Sequence, residues 1–304
     1  MKRAVIALAW AGVLAARVAW ADCGSIPFKP WVDIFEPNQR AVIAFNGREE
    51  ILLLSTDLRA SEPTKVLEVV PFPTEPKVTQ GDVEVFRKAT GVINSMLSAR
   101  KGGGFGGMGG MGMGGAGGGA LAPPPAGDVT FQERIGAHDI SVIQVLKPAR
   151  FVDWVEEHLK QAGVDNPTIS PPIRAVVQQY LRDGFRWFAF NVVDLGEQTV
   201  TKDAIQYRFS TRWLYYPLRI TRTEKGLTSI RLVLLTPRLV RIPYVGSSKV
   251  RLLHEPLGIS ESEVEQIDPD LHDLLKGHPT VLIRLWEIKG LPSRFTRDVI
   301  TTWY

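Results

Sequence analysis

Residues Asp139 to Leu195 change hydrophobic period twice, and that order leaves few folds open. Ile140, Val142, Ile143, Val145 and Leu146 make a short β-branched run suited to a sheet, and Lys147-Pro148 ends it. Proline is tolerated in a first helical turn because its missing N–H would have no partner there, so a helix follows. Phe151, Val155, Leu159 and Ala162 share one stripe with Val152 and Trp154 beside it, while Asp153, Glu156, Glu157 and Lys160 fall outside. Gly163 stops this helix. Pro171-Pro172 opens a second, with Ile173, Val176, Val177, Tyr180 and Leu181 at the same spacing and Gly184 at its end. Phe185 to Leu195 then returns as a strand. Its Trp187, Phe188, Phe190, Val192 and Val193 are apolar on both faces, which predicts a central strand covered on both sides. Two helices packed over a sheet are the expectation, each buried ring contributing about 1.5–3 kcal/mol.

The remaining chain supplies more strands than helices. Ala41–Phe45 and Ile51–Leu54 flank Asn46-Gly47, which reads as the positive-φ pair of a tight hairpin, with Arg48, Glu49 and Glu50 keeping the near end of the return strand wet. Val66, Leu67, Val69 and Val70 form a third strand, and Pro71-Phe72-Pro73 with Pro76 an extended connection. Asp82 caps a helix carrying Val85, Phe86, Ala89, Val92, Ile93, Met96 and Leu97. Residues 205 to 254 read as antiparallel strands. Tyr207, Phe209 and Trp213 alternate with Arg208, Ser210 and Arg212; Leu218 and Ile220 alternate with Arg219 and Thr221; Ile230, Leu232 and Leu234 face away from Arg231. Ser260 with Glu263 is a capping box, Asp268-Pro269 opens a short helix stopped by Gly277, and Val281 to Ile288 is a last strand. The fold class is α+β, an antiparallel or mixed sheet with several packed helices.

Residues 1–21 read as a signal peptide: Lys2 and Arg3, an apolar Ala4 to Val18, then Ala19-Trp20-Ala21 as the cleavage motif. No later run is long and uncharged enough to span a bilayer. The expectation is a secreted protein, periplasmic or extracellular. Of the formal charge of +4, Lys2, Arg3 and Arg17 leave with the signal, which disfavours nucleic acid as a partner. Cys23 is the single cysteine, so no intrachain disulfide supports the fold, and Asp22 before it disfavours lipid attachment. Residues 22–304 read as one α+β domain. Within it, 102–127 form a flexible, disordered Gly/Met-rich insertion whose glycine density is entropically costly to fix.

The segments AVIAFNGREEILLL, VVPFPTEPKV, ISVIQVLKPARFVDWVEEHL, YLRDGFRWFAFNVV and YYPLRI, in this order, resemble a family of exported bacterial proteins called domain of unknown function 2330. The resemblance spans both sides of the glycine tract and implies one continuous fold, with the tract as an addition. It implies no activity, substrate, cofactor or site residue.

Three features could carry chemistry. Arg208, Arg212, Arg219 and Arg231, extended by Arg238, Arg241 and Arg251, alternate with aromatic and apolar residues and could hold an acidic polymer. The plainer reading, which we favour, is one wet sheet face. Met108, Met111 and Met113 offer thioethers to Cu(I), or are apolar guests of the glycine tract. Asp268, Asp270, His272 and Asp273 offer hard ligands to Ca²⁺, although helix capping already accounts for Asp268-Pro269. His138, His158, His254, His272 and His278 show no zinc spacing, and no nucleophile elbow, phosphate loop or dinucleotide fingerprint occurs. No catalytic residue and no cofactor can be assigned. The expected function is an exported, non-catalytic binding or scaffold protein of the bacterial envelope, its partner an acidic polymer or an envelope protein. The alternative is an extracytoplasmic hydrolase with a nonlocal active site. A cleft with convergent polar groups would favour the hydrolase, and a flat exposed sheet the binding protein.

Overall fold

The computed structural model describes residues 25–29, 31–99, 127–135, 138–161, 163–164, 167–201, 203–224 and 226–304. The signal segment, Cys23, and the glycine tract through residue 126 with Met108, Met111 and Met113 lie outside the described residues. In chain order the elements are β1 (Ser25–Pro27), β2 (Ile34–Phe45), β3 (Glu49–Ala60), β4 (Thr64–Phe72), β5 (Lys77–Gln80) and helix α1 (Glu84–Ala99). After the tract come β6 (Gly127–Ile135), β7 (His138–Val145), α2 (Phe151–Gln161), α3 (Pro171–Arg182), β8 (Trp187–Leu195), β9 (Val200–Thr201), β10 (Ile205–Ser210) and β11 (Leu214–Tyr216). The last part holds β12 (Thr228–Thr236), β13 (Val250–Leu252), β14 (Leu257–Ile259), α4 (Glu261–Ile267), α5 (Pro269–Leu275), β15 (Val281–Gly290) and β16 (Val299–Thr301).

The fold is α+β. A five-stranded antiparallel sheet runs β1-β4-β8-β7-β6. A nine-stranded mixed sheet runs β13-β15-β12-β2-β3-β10-β5, with β14 also on β15 and β9 on β3; its one parallel pair is β2 with β12. A short β11–β16 ribbon stands apart. Strands from both sides of the glycine tract pair directly, β4 with β8, β3 with β10 and β2 with β12.

Alternating faces of these strands fill three apolar layers, so the molecule stacks as helices, sheet, sheet, helices. Ile43, Phe45, Tyr207, Leu232 and Trp286 of the larger sheet meet Phe72, Val142 and Ala189 of the smaller one between the sheets. On its outer face the larger sheet packs Val42, Ile51, Leu53, Val233 and Ile283 against α1, α4 and α5. The smaller sheet packs Ile143, Phe188 and Phe190 against α2 and α3 through Phe151, Val155, Leu159, Ile173, Val176 and Tyr180. The predicted central strand is therefore β8, third of five and covered on both faces. The capping box at Ser260 and the Asp268 cap are present, and His158 stacks on Trp154 at 5.2 Å as a packed side chain.

Five local expectations are corrected. The hairpin turn is centred on Gly47 and Arg48: Phe45 pairs with Glu50, Asn46 N donates to Glu49 O, and the Asn46 side chain accepts from Arg48 and Glu49 N–H. Only Gly47 of the predicted pair is central, and its φ of 96° is what the turn requires of it. Glu50 is fully buried, not wet, because both faces of β3 are covered. Pro71-Phe72 stay within β4, opposite Phe188 and Trp187. Leu218–Thr223 is a 3-10 helix, not a strand: Pro217 breaks the extended run, and Arg219 is buried beside Leu218 and Ile220. Gly127, expected at the end of the flexible tract, opens β6 in close approach to α2. A Cβ there would sit 2.9 Å from Ile143 Cγ2 and 3.1 Å from the Trp154 ring.

Phe188 is fully buried, its ring 5.2 Å from that of Phe151. Phe188→Ala should destabilise the protein by about 3–5 kcal/mol in urea unfolding. Val200→Ala, on the exposed β9, should change stability by less than about 0.5 kcal/mol.

Candidate functional site

A cleft of about 700 Å³ opens where the C-terminal end of α3, the end of β4 and the β11–β16 ribbon meet. Three chain features build it. Gly184, at φ 94°, ends α3 and turns the chain so that Asp183 and Phe185 face the cleft. Thr211 Oγ1 donates to Trp213 O at 2.8 Å and accepts from Trp213 N at 3.2 Å, which pins the backbone under the Trp213 ring. Pairing of Tyr215 with Ile300 in the ribbon brings Arg297 and Asp298 alongside. The rim is apolar and open to water: Trp213 is 51% exposed, Tyr244 68% and Ile300 47%. The Arg297 guanidinium lies 5.3 Å from the centre of the Tyr244 ring, within cation–π range.

The floor is ionic. Arg219, its side chain 8% exposed, donates through Nη1 to Asp183 Oδ2 and stands 3.5 Å from Asp298 Oδ2 through Nη2. Its backbone N donates to Asp298 Oδ1 at 2.8 Å, and Tyr180 Oη donates to the same oxygen at 2.6 Å. The guanidinium also lies 4.0 Å over the Tyr180 ring. Burial pushes the Asp298 carboxyl up to about 6, against the pull of Arg219 and of the Tyr180 hydroxyl. Burial likewise holds the Tyr180 phenol well above its ordinary value, reinforced by Asp298. Just behind the cleft, burial raises Glu50 well above the carboxylate range, although Tyr215 N donates to its Oε2 at 2.7 Å.

A cluster of ionisable groups in a cleft is not what the linear sequence leads one to expect. Of the four candidate arginines, only Arg219 lies here, buried instead of on a wet face. Arg208 is half-buried and paired with Glu49 at 3.0 Å and Asp273 at 3.5 Å. Arg212 is exposed beside the ribbon, and Arg231 is exposed on the outer face of the larger sheet. The Asp268–Asp273 group diverges. Asp268 accepts from the N–H groups of Asp270 and Leu271, Asp270 accepts from Gln206, His272 reaches Glu261 at 3.1 Å, and Asp273 takes Lys276 at 2.6 Å. Among the described residues no group of three or more His, Cys, Asp or Glu is placed to share a metal ion. Also among them, no helix is long and apolar enough to cross a membrane. Asp183, Asp298, Arg297 and Tyr244 escaped the sequence reading because they lie in loops without periodicity.

The family model described as an uncharacterized protein conserved in bacteria (DUF2330) matches residues 17–254. No curated protein matches the chain. Two solved structures of baculovirus P35 are similar to it. The first has a TM-score of 0.44 at 9% identity, over 91% of this chain and 99% of that one. The second, a mutated P35 after caspase cleavage, has a TM-score of 0.41 at 8% identity, over 88% and 100%. Neither likeness carries an argument about this chain.

Removing one member of the buried pair strands the other charge. Arg219→Met should destabilise by about 3–5 kcal/mol, and Arg219→Met with Asp298→Leu should recover much of that, in a urea double-mutant cycle. Asp298 binds its proton more tightly in the folded than in the unfolded chain. Its contribution is therefore fully present below about pH 4 and declines as pH rises to about 6. The stability of the parent relative to Asp298→Asn should fall by roughly 3 kcal/mol across that window, read from urea midpoints at each pH.

Proposed function

We propose, from the premise that the chain belongs to the bacterial family DUF2330, that it is an exported, non-catalytic binding protein of the bacterial envelope whose cleft takes a sugar ring. One observation carries the reading: two water-exposed aromatic rings, Trp213 and Tyr244, stand at the mouth of a cleft floored by Asp183 and Arg219. Large exposed aromatic side chains that line one cleft are the kind of surface a ligand covers. A sugar ring offers an apolar C–H face for Trp213 and hydroxyls that both donate to Asp183 and accept from Arg297. A volume of about 700 Å³ suits a ligand of one or two rings. Export is supported by Lys2-Arg3, the apolar run that follows and the Ala19-Trp20-Ala21 motif.

Convergent polar groups were the mark expected of a hydrolase, and one observation favours that second reading. Asp183 and Asp298 share Arg219 but differ in burial, as acid and base partners in glycoside hydrolysis do. Binding is preferred because Asp298 cannot reach a substrate. Its side chain is only 3% exposed and its Oδ1 is taken by two internal donors.

Calorimetric titration with neutral and amino-sugar disaccharides should find saturable binding. Trp213→Ala should weaken it about tenfold or more while lowering the melting temperature by only a few degrees, since the side chain is half exposed. Equal binding by this variant, or no binding of any disaccharide, would sink the proposal. Turnover of aryl glycosides that is lost in Asp298→Asn would establish the hydrolase instead.

A further inference from the structure

The outer face of the nine-stranded sheet changes character along its length. In register, Ile283, Leu235, Ala44 and Ile51 form one row across β15, β12, β2 and β3, and Leu285, Val233, Val42 and Leu53 the next. Both rows lie in the apolar layer under α1, α4 and α5. Two residues further along every strand the face becomes polar. Arg251 of β13, Glu287 of β15, Arg231 of β12, Arg40 of β2 and Ser55 of β3 make the third row. Lys289, Ser229, Asn38 and Asp57 make the fourth. A groove of about 690 Å³ runs between this open end and the start of α1.

The charges in these rows are unbalanced. Arg251, Arg231 and Lys289 all converge on the single carboxylate of Glu287, at 3.3, 3.9 and 2.8 Å. Arg40 is paired with Asp57 at 2.6 Å, yet it also stands beside Arg231 on the neighbouring parallel strand. Like charges in adjacent register repel, and an anion across them relieves the repulsion. The α1 side of the groove is not basic, since Arg87 pairs with Glu84 and Asp203 faces in, so the positive end is the β13–β2 side. Strands lie about 4.8 Å apart, so Arg40 and Arg231 stand about 5 Å apart, Arg231 and Arg251 about 10 Å, and the whole row spans about 15 Å, too far for one small anion to reach all three. Neither polar row holds an aromatic side chain, so the stacking platform of a single-stranded nucleic-acid site is missing.

We propose that this open end of the sheet binds an acidic polysaccharide, with successive carboxylate or sulfate groups seated on Arg251, Arg231 and Arg40 and Lys289 at their flank. The site is separate from the cleft and independent of its ligand.

The test is binding of polygalacturonate and of dextran sulfate to the full chain, with single-stranded DNA as the rival polyanion. The parent should bind the polysaccharides, with affinity falling about tenfold between about 50 and about 200 mM salt. Arg231→Gln with Arg251→Gln should lose about tenfold in affinity. Arg134→Gln, exposed on β6 of the other sheet, should lose nothing. If the double variant does not fold, Arg251→Gln and Lys289→Gln singly should each lose about threefold. No binding at low salt, undiminished binding by folded row variants, or an equal loss in Arg134→Gln would overturn the proposal. Tighter binding of single-stranded DNA than of polygalacturonate would overturn it in favour of nucleic acid.

Discussion

The buried contact between Arg219 and Asp298 ties together the end of α3, the Leu218–Thr223 turn and the C-terminal strand. Asp298 Oδ1 accepts from Tyr180 on α3 and from the backbone of Arg219 in the Leu218–Thr223 turn. The guanidinium reaches on to Asp183 at the end of α3. Withdrawing two charges from water costs several kcal/mol per ion, and it is offset only where the lone pairs and protons are satisfied. That demand fixes geometry. The helix end, the turn and the C-terminal strand must arrive together, because leaving any one out strands a buried charge. The cleft is the space left open above that junction, so its floor is rigid and its rim, free of such constraints, is exposed.

Where burial follows one period, the fold was legible. The two helices and the return strand between Asp139 and Leu195 stand where their apolar spacing puts them, and the caps at Ser260 and Asp268 stand where their side-chain chemistry does. The failures have physical reasons. Leu218, Arg219, Ile220 and Thr221 alternate as a strand would, but all four are buried, so alternation there reports no wet face. Glu50 looks solvated beside Arg48 and Glu49, yet it shares a strand face with Leu52, and a strand apolar on both faces has no wet side. Its neighbour Glu49 is the one that reaches water and meets Arg208.

The polar rows show a different limit. Arg231 was visible as an arginine facing away from Ile230 and Leu232, but Arg40 was not singled out, and neither residue marks a site alone. Their adjacency exists only because β2 and β12 pair in parallel at one register across almost two hundred residues of chain. Sequence periodicity reports which face a residue takes and is silent about which strand lies next to it. A site assembled across strands is therefore hidden even where every strand is recognised.

The polar rows arise from a mismatch of lengths. A strand advances about 3.3 Å per residue and a helix about 1.5 Å, so β2 with its 12 residues outruns any helix laid across it. The uncovered sheet must end in side chains that tolerate water, and arginine does so while its aliphatic stem shields the last apolar row. Lysine or glutamine would shield that edge as well, so shielding alone does not account for three guanidinium and ammonium groups gathered on one carboxylate at Glu287. The excess of cations at that edge calls for an anion outside the chain, and this separates a binding face from a merely solvated one.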